Sequence, residues 1–399
     1  MTTDLTEPSP SDKPRARLES VDILRGLVMV LMVLDHVRDF FDHADRDATN
    51  PETTSIPLFF TRWVTHFCAP TFVFLAGTGA YLATTRGMTR RQTSRFLFTR
   101  GIWLIVLELT VARIGMTFDP TFRTFPLIVL WAIGASMVAL SALVWLPTSV
   151  VAAIGVAMIA IHNRFDGVRP DSFGPLADVW RLLHVPGMLE HQVAGRRFFA
   201  LYPLVPWIGV MAAGFGFGAI VKLPRAGVRR GLCLAIGLGM IAAFVALRWS
   251  NAYGDPRPWS PQERGPAYTV LSFLNCQKYP PSLLFLLMTL GPAITVLAIF
   301  DQGAGCIGRR LATFGRVPLF YYLLQWPLIH VLAIAYNALK GEPYQWLLGG
   351  GAFGSPPGYG HGLPVVYAMW VVTVLILYVP CRWFADLKRR RRDVWLSYL

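Results

Sequence analysis

Long apolar runs, broken by short basic or proline-rich joints, recur along the chain from residue 21 onward. A membrane-spanning helix needs roughly 20 mostly apolar residues rising about 1.5 Å each. Ten such stretches are readable, at residues 21–41, 58–84, 96–115, 125–146, 148–162, 199–221, 231–249, 282–300, 319–338 and 363–385. Only Pro147, a helix breaker suited to a tight turn, stands between the fourth and the short fifth. The pattern predicts an all-α integral membrane protein with about ten transmembrane helices.

Composition agrees. Of 399 residues, 54% are hydrophobic and 15% charged, against about 25% charged in soluble domains, so polar groups cannot cover a globular surface. Five scattered cysteines without a CxxC pair exclude a secreted disulfide scaffold. The net charge of +14 would point to nucleic acid in a soluble protein. Here the basic residues sort by loop. Lys13, Arg15, Arg17 and Arg25, then Arg86, Arg90, Arg91, Arg95 and Arg100, then Lys222, Arg225, Arg229 and Arg230, then Arg309, Arg310 and Arg316, and finally Arg382, Lys388 and Arg389 to Arg392, all fall on one face. This bias predicts both termini in the cytoplasm and accounts for the basic excess with no nucleic-acid partner.

Residues 1–16, rich in Ser, Pro, Asp and Thr, are expected to be a disordered cytoplasmic leader, because the following apolar run is too long for a signal peptide and lacks a small-residue cleavage site. Residues 17–386 form the transmembrane domain, and 387–399 a basic cytoplasmic tail. Loops 42–57, 163–197, 250–281 and 340–362 lie on the opposite side and carry Gly, Pro, Trp or charge. Loops of that length are expected to be lids over a site.

Ionisable side chains within apolar spans are costly and mark functional cavities. The first span carries Asp22 and Arg25 at its start, on one face, and Asp35, His36, Arg38 and Asp39 further along. His36 lies about 16 Å beyond Arg25 along a helix. A histidine beside a carboxylate suits a general base at neutral pH; the wet end of a helix is the alternative. In the second span Arg62 and His66 share a face, and Pro70 should kink the helix beside a cavity, while Gly77 and Gly79 are expected to allow close helix approach. Glu108, deep in the third span, is expected to pair with an arginine such as Arg62 or Arg113. Gln325 and His330 should face the same interior as the first span, with a hydrogen-bonded core histidine as the alternative for His330. His162, with Asn163 and Asp166, reads as a helix cap. Gly303, Gly305 and Gly308 satisfy GxGxxG without the strand that a dinucleotide fold requires, leaving at most a phosphate-binding turn. The remaining histidines are scattered, and no metal is expected.

Several blocks resemble bacterial membrane proteins related to heparan-alpha-glucosaminide N-acetyltransferase. They are Arg17-Leu-Glu-Ser-Val-Asp-Ile-Leu-Arg-Gly-Leu with Met32-Val-Leu-Asp-His36, Thr61-Arg-Trp-Val-Thr-His66 running on to Gly77, and Arg100-Gly-Ile-Trp-Leu-Ile-Val-Leu-Glu-Leu-Thr110. Tyr253-Gly-Asp-Pro256, Lys278-Tyr-Pro-Pro-Ser282 and Phe314-Gly-Arg-Val-Pro-Leu-Phe-Tyr-Tyr322 complete the set. The resemblance covers nearly the whole chain after the leader. In the wider group of membrane acyltransferases, an Asp, an Arg three residues on and a His eleven beyond match Asp22, Arg25 and His36, and the histidine is the base. The family's animal enzyme looks to have asparagine at the position matching His36 and its active histidine in the following loop, where His43 is nearest here. Both stay open, with His36 favoured.

The resemblance implies a transmembrane acyltransferase of the plasma (inner) membrane. Its donor would be acetyl-CoA or another acyl-CoA from the cytoplasm, and its acceptor an amine or hydroxyl, on a small molecule or glycan, on the far side. His36, oriented by Asp35, would deprotonate the acceptor, and Arg62 or His66 would steady the oxyanion. Arg25, Arg95 and Arg316 would hold the CoA phosphates. An acyl-histidine relay is the mechanistic variant. Membrane lipid is the surrounding partner, and a homodimer is an open option. A transporter or lipid flippase using the same charges is the alternative function; the lack of an internal repeat counts against it.

Overall fold

The structure, a computed structural model, describes residues 19–43, 47–85, 87–301, 305–351, 355–391, 393 and 396. The leader 1–16 with Lys13 and Arg15, and also Arg17, Arg86, Gly303 and Arg392, lie outside the described residues. The described residues are mostly helical: α1 (Glu19–Phe41), α2 (Ile56–Thr65), α3 (Cys68–Thr84), α4 (Arg90–Leu107), α5 (Arg113–Thr117), α6 (Val129–Leu143), α7 (Thr148–Ile161), α8 (Ala177–Leu183), α9 (Leu204–Val221), α10 (Ala226–Ser250), α11 (Pro266–Leu274), α12 (Leu283–Phe300), α13 (Gly305–Arg316), α14 (Pro318–Lys340) and α15 (Leu363–Arg390). The first residues of the expected tail thus continue α15.

Local chemistry sets the ends. Ser55 accepts from the Leu58 amide at the start of α2, Thr89 and Gln92 form a capping box for α4, and Ser282 accepts from Phe285 to open α12. The break between α2 and α3 falls at His66 and Phe67. Pro70 lacks the amide hydrogen that the His66 carbonyl would otherwise receive, so the ladder fails one turn before the proline.

Among the described residues seven helical segments are long and apolar enough to cross a membrane: Ile56–Thr84, Thr148–Phe165, Leu204–Val221, Ala226–Ser250, Leu283–Phe300, Pro318–Lys340 and Leu363–Arg390. The other three expected spans are α1, which is rich in charge; α4 with its continuation; and α6. The last two differ from expectation in an instructive way. A π-helical turn, Glu108–Ala112, joins α4 to α5, and α6 covers only about 22 Å at ~1.5 Å per residue. The Glu108 carboxylate accepts from the Leu130 and Trp131 amides at 2.6 and 3.3 Å, capping α6 inside the protein. Glu108 therefore serves backbone donors rather than an arginine, because a helix that starts at depth has no water for its free amides. Arg113 turns instead to Asp119 and to the carbonyls of Asp119 and Thr124.

The all-α expectation needs one addition. Strands β1 (Thr124–Leu127), β2 (Gly187–Met188) and β3 (Arg197–Ala200) form a small sheet in the order β1-β3-β2. β1 runs parallel to β3 with Thr124 opposite Arg197, and β2 antiparallel with Gly187 opposite Ala200.

α1 is the central element and packs against α2, α3, α12, α13, α14 and α15. Its closest approach is to α13. A Cβ on Gly26 would stand 1.8 Å from the Leu311 carbonyl oxygen, and one on Gly315 1.8 Å from that of Asp22. The end of the bundle at which α1 begins is the near end, and that of Phe41 the far end. α10, α15 and the Thr148–Phe165 segment sit at the periphery and expose Val156, Leu238, Val245, Leu375 and Val379. Apolar faces of that extent need lipid to cover them.

Candidate active site

The polar residues of α1 divide into two groups along its length. At the near end, Arg25 lies 3.7 Å from Asp22 and donates to the Gly315 carbonyl at 3.3 Å. Arg316 approaches Asp22 at 3.9 Å. About one dozen residues further on, the Asp35 carboxylate accepts hydrogen bonds from Arg62 and, at 3.3 Å, from Arg38, which also binds Asp39. The break at His66 lets α2 present Arg62 to α1 at this depth.

His36 faces a different way, since successive helical residues point about 100° apart. No hydrogen bond joins Asp35 to His36 among the described residues, so the expected direct orientation of His36 by Asp35 is replaced by packing from α14. The imidazole stacks on Trp326 with centroids 3.9 Å apart and meets the Tyr322 ring edge-on at 6.4 Å. The Gln325 amide lies against it. His36 Nδ1 and both polar atoms of Gln325 are buried with no hydrogen-bond partner among the described residues. Buried polar atoms left this far from a partner are costly, and the pair lies side by side at the edge of hydrogen-bond geometry.

Three cavities run along α1. The largest, about 340 Å³, opens from Arg25 and Arg100 and is walled by Met29 and Met32 of α1, Phe72, Ala76 and Gly79 of α3, Leu104, Ile133, Leu319 and Tyr322. A narrow neck of about 40 Å³ follows, lined by Asp35, His36, Thr65, Cys68, Tyr202 and Lys278. It shares Met32, Phe72 and Val129 with the large cavity. Beyond it lies a polar pocket of about 260 Å³ at the far end, lined by Arg38, Arg62, His66, Arg257, Asn275, Lys278 and Tyr279. Lys278 belongs to both the neck and this pocket. An apolar chamber bordered by Arg25 and Arg100 thus adjoins the neck that holds His36, and the neck shares Lys278 with the polar pocket.

Of the expected catalytic residues, the structure brings Asp35, His36, Arg62 and His66 to the neck and the far pocket. His66 is buried, tilted against Phe285 at 5.4 Å. Of the expected phosphate-binding residues, Arg25 lines the large cavity, Arg316 stays beside Asp22 outside its lining, and Arg95 is exposed elsewhere on α4. Arg100, five residues on, takes the lining position. His43 lies beyond the end of α1 against Gly360, outside these cavities. Gln325 meets His36, as expected, whereas His330 is the hydrogen-bonded core histidine. Its ring nitrogens meet the carbonyls of Gly115 and Leu347 at 3.2 and 2.8 Å, and it stacks on Phe118. Gly77 packs against the Met211 carbonyl as expected, but a Cβ on Gly79 would meet nothing within 4 Å, because that glycine faces the large cavity.

Lys278 and Tyr279 were not anticipated as site residues. Their loop is fixed by Asp255, which accepts from the Gln277 amide at 2.8 Å and from the Ser282 hydroxyl at 2.6 Å. The Tyr253-Gly-Asp-Pro256 and Lys278-Tyr-Pro-Pro-Ser282 blocks are therefore two halves of one brace. Arg248, fully buried, adds bonds to the carbonyls of Arg257, Ser272, Phe273 and Asn275. The pairing of two such blocks was the signal available for Lys278.

No curated protein matches the chain. Residues 17–246 match the family described as heparan-alpha-glucosaminide N-acetyltransferase, catalytic. That span takes in α1 with Asp35 and His36, Arg62 and His66, and the walls of the large cavity from α3, α4 and α6. With its apolar helices and a match over more than half its length, this chain belongs to the heparan-alpha-glucosaminide N-acetyltransferase catalytic family, a family of membrane acetyltransferases.

Proposed function

We propose that the protein is an acyl-CoA-dependent acyltransferase of the plasma (inner) membrane, crossing it ten times with both termini in the cytoplasm. The observation that carries the reading is the order of the cavities: an apolar chamber with Arg25 and Arg100 at its mouth, a neck at His36, and a polar pocket beyond. The near end then faces the cytoplasm. The donor's phosphates sit at Arg25 and Arg100, and its long thioester-bearing arm, acetyl at the tip, follows α1 for about 16 Å to the neck. The acceptor, an amine or hydroxyl on a small molecule or sugar, comes from the far pocket, where Lys278, Tyr279 and Arg38 offer hydrogen bonds.

At the neck His36 takes the acceptor's proton as its nitrogen or oxygen bonds to the acyl carbon. The carbon–sulfur bond breaks, and the proton returns to the departing thiolate. Arg62, fixed on Asp35, and Lys278 supply positive charge for the developing oxyanion in a water-poor site. Trp326 holds the imidazole plane, so no rearrangement is needed at the moment of transfer.

The test is consumption of acetyl-CoA by detergent-solubilised protein supplied with candidate acceptors, where no gradient exists. Turnover lost in His36→Ala supports the reading. No thioester consumption by the wild-type protein with any amine or hydroxyl acceptor would leave the transporter alternative. Labelled acyl group trapped on protein without acceptor would assign the acyl-histidine relay rather than direct transfer.

A further inference from the structure

Away from the neck, at the far end of α7, three side chains converge that the transfer reaction does not use. His162 closes α7, Asp166 follows in the same turn, and His184 comes from the end of α8. One ligand atom of each lies within 4.8 Å of the others. His162 and His184 are 1% and 2% exposed. Both ring nitrogens of His162, Nε2 of His184 and Oδ1 of Asp166 are buried with no hydrogen-bond partner among the described residues.

We infer that His162, Asp166 and His184 form a binding site for a divalent transition metal of the zinc class. His184 Nε2 and Asp166 Oδ1 are 3.4 Å apart, and the edge of a tetrahedron with bonds of about 2.1 Å is about 3.4 Å. With a His162 ring nitrogen, within 4.8 Å of both atoms, turned toward the same point, the three would occupy a face of that tetrahedron and leave one position open. Two imidazoles and one carboxylate favour zinc over magnesium or calcium, which take oxygen ligands.

The surroundings have the character of outer-shell support. The Asn163 amide donates to Asp166 Oδ2 at 2.7 Å, leaving Oδ1 to turn inward. Trp180 and Phe165 wall the His184 ring. The Pro281 carbonyl lies beside the His162 ring, outside hydrogen-bond geometry, where it can orient that ring once a metal draws it in. An imidazolium at His184 paired with Asp166 is the metal-free alternative, but it leaves His162 with two orphaned nitrogens. A metal satisfies all three side chains together. It would also tie the segment 162–184 to the start of α12, where Asn163 already accepts from the Leu283 amide at 2.8 Å, next to the loop that carries Lys278.

The test uses full-length protein in detergent, stripped with chelator and reloaded with Zn²⁺ or Co²⁺. Elemental analysis should find about one zinc per chain, and the cobalt form should show visible d–d bands of a four- or five-coordinate site. Zinc should be lost in the double variant H162Q/H184Q, and Asn163→Ala should weaken it by about 10–100-fold. Equal zinc in wild type and double variant would overturn the proposal, as would a wild-type cobalt form without d–d bands. The cobalt spectrum decides the matter even if the double variant does not fold.

Discussion

Gly79 offers a direct test of the proposal that the large chamber holds the donor. It sits inside α3, a Cβ there would touch nothing within 4 Å, and it lines the cavity of about 340 Å³. At about 10–15 Å³ of cavity volume for each water-sized atom, leucine's four added carbons claim about 40–60 Å³, roughly an eighth to a sixth of the chamber. The helix itself should gain: glycine in a helix interior is about 1 kcal/mol worse than alanine. Stability and activity should therefore move in opposite directions along Gly79→Ala, Gly79→Val and Gly79→Leu. Threading the acyl arm past a side chain that narrows the chamber is an overpacking problem of about 1–3 kcal/mol, or about 5- to 150-fold in kcat/KM for acyl-CoA, largest for leucine. The assay is thioester release in detergent beside thermal unfolding of each variant. Wild-type kcat/KM in Gly79→Leu would refute the assignment of this chamber to the donor. So would a stability loss in Gly79→Ala, since it would mean that the open space is not there.

Four further outcomes follow from the geometry. His36→Gln should lower kcat by about 10²–10⁴-fold, the usual contribution of a general base, with an unchanged unfolding midpoint; turnover near wild type would remove His36 from the chemistry. Arg62→Met leaves Asp35, whose side chain is 12% exposed, with Arg38 as its remaining hydrogen-bonded cation among the described residues. It should cost about 3 kcal/mol, the lower end of the ~3–5 range for a broken buried pair, most of it recovered in the double variant with Asp35→Asn by denaturant unfolding. Gly26→Ala drives a Cβ to 1.8 Å from the Leu311 carbonyl, so α13 must retreat, at about 1–3 kcal/mol; faster amide exchange confined to α13 and the start of α1 would report it. Burial opposes ionisation of Asp178, yet the Glu190 and His191 amides and the His191 ring hold its carboxyl below the usual value of 3.8. Its stabilisation is therefore present above pH 3.8 and lost as pH falls further, through the folded value, so amide protection at Glu190 and His191 should vanish there and be weak at all pH in Asp178→Asn.

The charges within α1 were legible in the sequence because the helical period alone fixes which depth each occupies, and the four residues Asp35, His36, Arg62 and His66 do converge. What linear spacing could not carry was the direction of the bonds. Asp35 and His36 are neighbours in sequence, yet on a helix they serve different partners, Arg62 and Trp326. Glu108 was read as half of an ion pair because burial of a carboxylate suggests a cation; the start of α6 inside the protein, which turns it into a cap, depends on a π turn and a strand that no hydrophobic period announces. Arg95 and Arg100 are equally basic to a topology rule, and only the rotation of α4 tells which one reaches the chamber. Lys278 stands in a loop held by Asp255, 23 residues earlier, and His184 meets His162 across a similar gap, distances at which periodicity is silent.

The neck has a second consequence, electrical rather than chemical. Two chambers opening toward opposite faces of a membrane would together be a pore, and a membrane at 100 mV drives each elementary charge with about 2.3 kcal/mol. The neck volume of about 40 Å³ has room for roughly three waters at the ~10–15 Å³ each requires, too few to hydrate a passing ion. Lys278 lines the neck, and Arg62 at its far side is held by the Asp35 carboxylate, so the charges there are fixed to the protein. If the proposed transfer takes place at this neck, the constriction that brings the two substrates together is also what insulates the membrane around it.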